Sequence, residues 1–152
     1  MRWALLGAVA VVALGCGEPN RLNGTISGDA SLAFDEVRAE FIVDQLVIRY
    51  VKGEGLVLAE AARLTLPEGA AEAGVELTIE RAVQVEHFVT IADDVGRVVA
   101  EKPFPAVSHG VLHLTRVGRV AGQLVEGDFQ VTFVGAEDTL NGVFSAPVTA
   151  PR

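Results

Sequence analysis

The 152-residue sequence predicts an all-β protein, an antiparallel β-sandwich with Greek-key or meander connections, with a closed barrel as the alternative. Three observations carry this expectation. Valine supplies 21 of the 136 residues after Cys16, alongside seven Phe and Tyr50, and β-branched and aromatic side chains suit pleated, half-buried strands. Turn chemistry recurs at short intervals, at Lys52-Gly53-Glu54-Gly55, Pro67-Glu68-Gly69, Asp93-Asp94-Val95-Gly96 and Gly135-Ala136-Glu137-Asp138. Finally, two segments alternate apolar and polar residues along their whole length, the period of a strand with one wet face.

Those two segments are Gly74 to Glu80 and Val125 to Phe133; the second places Val125, Phe129, Val131 and Phe133 on one face and Glu126, Asp128, Gln130 and Thr132 on the other. Further strands are expected at Leu32 to Phe34, Val37 to Val43, Gln45 to Val51, Leu56 to Leu58 and Arg63 to Leu66. The C-terminal half adds Gln84 to Ile91, Arg97 to Ala100, Val111 to Val117 and Leu140 to Ser145. Helix formers compete at Leu58 to Arg63 and Glu68 to Ala73, where Pro67 and the glycines at 69 and 74 keep any helix short. Near the C-terminus, glycine stands two residues before phenylalanine twice, as Gly127 with Phe129 and Gly142 with Phe144. On a strand each Gly and Phe share a face, so a ring from one strand can lie over the bare backbone of the other, which predicts a hairpin packed by its phenylalanines.

The first residues read as an address. Met1-Arg2 gives a short positive end, and Trp3 to Leu14 is a run of twelve residues without a charge, the architecture of a signal peptide. Crossing a bilayer takes about 20 apolar residues, and Gly17-Glu18-Pro19-Asn20 ends the run short of that. The run closes on Ala13-Leu14-Gly15-Cys16, which resembles the bacterial lipobox, although the family has Leu where this chain has Ala13. The resemblance implies that Cys16, the sole cysteine, is joined through sulfur to diacylglycerol, becomes the first residue of the mature chain and is acylated on its amino group. It further implies an outer-membrane location, since Gly17 replaces the Asp that marks inner-membrane retention in that family. The alternative is an ordinary secretory signal, and a secreted protein, with Cys16 there by chance. The expected organisation is a signal peptide over 1–15, a lipidated N-terminus and short tether over 16–22, and a single β-domain over 23–152. Asn23-Gly24-Thr25 reads as a turn.

The stretch from Gly110 to Val148 also resembles the C-terminal portion of small envelope lipoproteins of unknown function, in which strand pairs of the G-x-L-x-G-x-F kind end in an Ala-Pro tail, here Ser145-Ala146-Pro147-Val148. That resemblance implies a β-sandwich and no particular activity.

Charge narrows the partners. The chain has a formal charge of −8, and loss of Arg2 with the leader leaves eleven basic residues against twenty acidic ones. Nucleic acid is excluded as a partner, and attachment to a membrane has to come from lipid. No cofactor motif and no serine in a G-x-S-x-G turn is present. Ser108 and His109 are adjacent, so on a strand their side chains point apart. His109 and His113 would share a helix face as a zinc pair does, but Gly110 and Val111-Leu112 favour a strand, on which the rings stand about 13 Å apart. With His87 they read as surface or strand-end histidines, and the metal site as none. The consecutive carboxylates Asp35-Glu36, Asp93-Asp94 and Glu137-Asp138 read as solvated turns, and Glu80-Arg81 and Arg116 to Arg119 as surface charge. Cys16 is therefore the one assigned site residue, and no catalytic residue is assigned. The functional expectation is a non-enzymatic envelope lipoprotein acting as an interaction or assembly module, held to its membrane by lipid and contacting an envelope protein. The alternative is a carrier of a hydrophobic ligand or lipid in an apolar cavity.

Overall fold

A computed structural model describes residues 20–26, 31–53, 59–79, 83–89, 104–135 and 138–150. The protein is all-β. Among the described residues nine strands form: β1 Arg21–Thr25, β2 Glu36–Ile42, β3 Gln45–Lys52, β4 Ala59–Thr65, β5 Val75–Thr78, β6 Gln84–Val89, β7 Val107–Val117, β8 Leu124–Phe133 and β9 Thr139–Thr149. They lie in the order β5-β7-β8-β9-β2-β3-β4-β6, with β1 added on β9, so the sheet is mixed and curls into a half-barrel. Consecutive strands are antiparallel neighbours within β2–β3–β4 and within β7–β8–β9. Between them the chain crosses from β4 to β5 at the far end of the sheet and returns to place β6 beside β4. No described helix is long and apolar enough to cross a membrane.

The expected antiparallel order fails at one seam. β9 pairs β2 in parallel through Ala39 with Val148 and Glu40 with Thr149, while its first half pairs β1 from Arg21–Val143 to Thr25–Thr139. Between these partners the edge of β9 has no described strand beside it, and two of its backbone groups are bonded by side chains, as peptide groups shielded from water require. The Tyr50 hydroxyl donates to the Val143 carbonyl at 3.0 Å, and the Ser145 N–H donates to Asn20 Oδ1 at 2.6 Å. Pro147 follows on the same edge and has no N–H to satisfy, which is where a proline fits a strand.

The seam corrects three expectations. Asn23-Gly24-Thr25 is the end of β1 and not a turn, because the open edge of β9 takes it as a partner; Gly24 is needed there, since a Cβ would lie within 3.0 Å of the backbone at Thr139–Leu140. Arg21 and Leu22, expected in the tether, already belong to β1. The Ala-Pro tail is the last part of β9, paired to β8 through Ala146–Val125 and Pro147–Leu124.

Elsewhere Leu32 to Phe34 is not a strand, yet the Phe34 ring packs edge-on against Tyr50 with centroids 5.0 Å apart. The Ala-rich stretch is strand β4 and not helix, held between β3 and β6, and the Glu68 to Ala73 stretch forms turns. Packing against two neighbours outweighs a helix preference of a few tenths of a kcal/mol per residue, about the size of that scale. The expected strands at Leu56 to Leu58 and Arg97 to Ala100, and Cys16 with the whole leader, lie outside the described residues.

The two arms of the curl face each other over one core. Leu112, Leu114, Val131 and Leu140 from one arm meet Leu46, Ile48, Leu64 and Leu66 from the other, all at most 1% exposed. β8 buries every second residue, including Val125, Gly127, Phe129, Val131 and Phe133, as its alternation predicts. The predicted hairpin of glycines and phenylalanines is present reciprocally: Gly127 lies opposite Phe144 and Gly142 opposite Phe129. A Cβ on either glycine would press into the facing ring at under 3.0 Å.

Candidate functional site

Two outward faces remain, one on each arm. On the arm of β2, β3, β4 and β6, Arg38, Arg49 and Arg63 lie directly opposite one another across three strands. Like charges in that relation repel, and glutamates beside them, with Glu86 directly opposite Arg63, offset them. Glu40 pairs with Arg49, Glu60 Oε1 lies 3.6 Å from Arg49 Nε, Glu60 Oε2 accepts from Arg63 Nε at 2.7 Å, and Glu86 reaches Arg63 at 4.0 Å. These charges are largely consumed within the face, which reads as a structural ladder.

The other face, on β5, β7, β8, β9 and β1, is different in kind. Three shallow openings of about 510, 390 and 260 Å³ join into one strip across it. Asp128 and Val143 border the largest and the smallest, and Gln130 borders the smallest and the one of about 390 Å³. The strand register explains the lining. Val111, Gln130, Asn141 and Asn23 form one transverse row, and Thr132, Thr139 and Thr25 the next. The result is amides and hydroxyls, which can donate and accept hydrogen bonds without the cost of stripping water from a charge. The alternating polar residues of β8 put Glu126, Asp128, Gln130 and Thr132 along the middle of the strip.

Charge enters at one end. His113 on β7 stands between two carboxylates, with Nε2 2.8 Å from Glu76 Oε2 on β5 and Nδ1 3.2 Å from Asp128 Oδ2 on β8. The hydrogen bond to Glu76, then that to Asp128, holds the imidazole above its ordinary value of 6.5. The protonated ring donates to both acids. A raised histidine value means that the stabilisation by this bridge is fully present below the ordinary value and is lost as pH rises through the folded one. Following the His113 ring by NMR against pH, we expect Glu76→Gln to lower its midpoint further than Asp128→Asn; an unchanged midpoint in both variants would refute the bridge.

The bridge adds two carboxylate partners to a histidine that lies on the surface of its strand, as expected, with 43% of its side chain exposed. It also takes both ring nitrogens away from any metal, and no group of three His, Cys, Asp or Glu side chains among the described residues is arranged to hold one. His109 shares β7, but a β-bulge between Val107 and His109 brings Ser108 Oγ to 3.4 Å from its Nδ1. The two side chains therefore approach where alternation had them pointing apart. The side chain of His87 and both residues of Asp93-Asp94 lie outside the described residues.

The remaining charges are placed more specifically than the sequence suggests. Asp35 Oδ2 accepts the Gly53 N–H at 2.7 Å, tying the start of β2 to the end of β3. Asp138 is buried at 7% exposure and so is not a solvated turn residue, because the turn folds back to give Phe133 N–H its carbonyl. Arg119 is a clamp: Nη1 donates to Asp44 Oδ1 at 2.8 Å, Nη2 donates to the Ala71 carbonyl at 3.1 Å, and the guanidinium lies 5.2 Å over the Phe41 ring.

Comparison with protein-family models, curated proteins and solved structures finds no match to the chain.

Proposed function

We propose that the protein is a lipid-anchored component of the bacterial cell envelope, tethered through Cys16 at the outer membrane, whose β-domain is a non-enzymatic interaction or assembly module. The polar strip is the surface it offers to an envelope protein. The observation that favours this reading over a carrier is where the space lies. The interior between the arms is occupied by Tyr50, Phe133, Phe144 and the aliphatic side chains around them, each less than 2% exposed, whereas the openings along β8 face solvent and mix hydrogen-bonding groups such as Gln130, Asn141 and Thr132 with apolar ones such as Val111 and Val143. A carrier needs an apolar void between the arms, and the described residues fill that space with buried side chains. Support for the anchor comes from the leader and from Ala13-Leu14-Gly15-Cys16.

Two measurements test the reading. Growth with radioactive palmitate should label the protein, and Cys16→Ala should abolish the label; label that persists in the variant would remove the anchor. A photo-crosslinking residue at Gln130, on the strip, should capture an envelope protein in intact cells, while the same residue at Arg38, on the charge ladder, should not. Equal capture at both positions would show that the strip is not the contact surface.

A further inference from the structure

One end of the domain carries apolar side chains that no described strand covers. Val43, at the tip of the turn between β2 and β3, is 92% exposed, Ile42 beside it 48%, and Val120 in the turn between β7 and β8 62%. Val43 also has φ of 60°, a left-handed conformation that β-branched residues rarely adopt. The two turns are neighbours, because Arg119 next to Val120 holds Asp44 next to Val43 and reaches on to Ala71. The tips therefore form one braced surface.

Register places that surface relative to the anchor. Asn20 is fixed beside Ser145 of β9, and Cys16 is four residues from Asn20, within a reach of about 14 Å. From Ser145, β9 runs three residues to Val148, which lies beside Ala39, and β2 runs three more to Ile42 in the same direction. At about 3.3 Å per residue the tips stand about 20 Å beyond Ser145, farther than Cys16 can extend. The opposite end, with Val134 in the turn after β8, lies about as far the other way, beyond Thr139. β1 runs from Arg21 beside Val143 to Thr25 beside Thr139, away from the tips, so the chain traced back through Asn20 toward Cys16 heads to the tip end. A bilayer on that side meets the apolar tips, whereas either polar face would lose hydration against lipid.

We propose that the Ile42-Val43 and Val120 tips are a membrane-contact surface, seated in the interfacial layer of the bilayer that holds Cys16. This inference rests on the lipid-anchor reading. Seating the tips takes exposed apolar surface out of water and fixes the standing orientation of the domain, so that the polar strip runs up its side, open to a partner in solution. An anchor alone would leave the domain free to swivel.

The full-length protein, reconstituted in vesicles of phosphatidylethanolamine and phosphatidylglycerol containing a spin-labelled phosphatidylcholine, tests this. A thiol-reactive environment-sensitive dye is attached in three variants, Val43→Cys, Val120→Cys and, as the distant control, Val134→Cys. Because Cys16 is the only native cysteine, the unsubstituted protein should take up no dye. Dye at 43 and 120 should be quenched by the spin label about threefold more than dye at 134, as expected for burial at the headgroup boundary. Equal quenching at all three positions, with native Cys16 unreactive, would leave the anchor standing and overturn the contact surface. Labelling of the native protein would instead show a free Cys16 thiol and overturn the anchor together with this inference. The two tips lie on separate turns, so if one variant fails to fold, the other still reports.

Discussion

Gly142→Ala should destabilise the protein by about 2 kcal/mol, although alanine is ordinarily better than glycine in a strand by about 0.5–1 kcal/mol. The expected sign follows from what the new methyl group meets. A Cβ at 142 would lie under 3.0 Å from the Phe129 ring and 2.8 Å from the Tyr50 hydroxyl. Phe129 is 2% exposed and packs against Tyr50 with centroids 6.1 Å apart. The ring cannot retreat without pushing its neighbour, so overpacking outweighs the entropic gain. Urea denaturation of the purified protein reads the change, and a second background identifies its cause. In Phe129→Leu the smaller side chain leaves room for the methyl group, and Gly142→Ala should cost less there than in the native background. Equal costs in the two backgrounds would mean that the ring over the glycine is not the reason for it.

Tyr50→Phe should cost about 1–3 kcal/mol, the penalty of leaving a part-buried carbonyl without this donor. The hydroxyl is the partner of the Val143 carbonyl in the gap between β1 and β2, and the ring around it is fully buried. Burial also pushes the phenol well above its ordinary value of 10. The folded protein therefore holds Tyr50 neutral where the unfolded chain would ionise it. This stabilisation is complete below the ordinary value and is lost as pH rises above it, by about 1.4 kcal/mol per pH unit until the folded value is reached. Tyr50 is the only tyrosine, so tyrosinate absorbance reports on it alone. In an alkaline titration the absorbance step and the loss of β-sheet circular dichroism should coincide. Ionisation near pH 10 with the sheet intact would contradict the packing at the seam. Tyr50→Phe should be less stable at neutral pH but lose this part of the alkaline dependence.

What was legible in the sequence was local. β8 could be read outright because its inward and outward residues alternate without a break, and the two Gly-Phe pairs announced their hairpin because both members of each pair share a face. β1 was misread because Asn23-Gly24-Thr25 has turn chemistry, and only the free edge of β9 more than a hundred residues later makes it a strand. The Ala-Pro segment was misread for a similar reason, since a proline belongs in a strand only where its missing N–H faces no partner. Asp128 and His113 were both visible, but their contact depends on a β-bulge between Leu114 and Arg116 that shifts the register of β7 against β8 by one residue. Without that shift the two side chains would fall on opposite faces. Glu76 joins them only because β5 crosses to the far edge of the sheet.

By itself, then, the sequence determined the fold class and the inward-facing side of its long strands, because a period of two is written in consecutive residues. It also supplied the expectation of an anchor at Cys16, which is a property of a short contiguous motif. Tertiary structure alone decided the strand order, the parallel seam at Val148, the joining of Asn, Gln and Thr side chains into one strip, and the pairing of the Val43 and Val120 turns at one end. Each of these is a relation between residues far apart in the chain. Such relations are selected by which buried surfaces and backbone edges satisfy one another in space, and no local period encodes them.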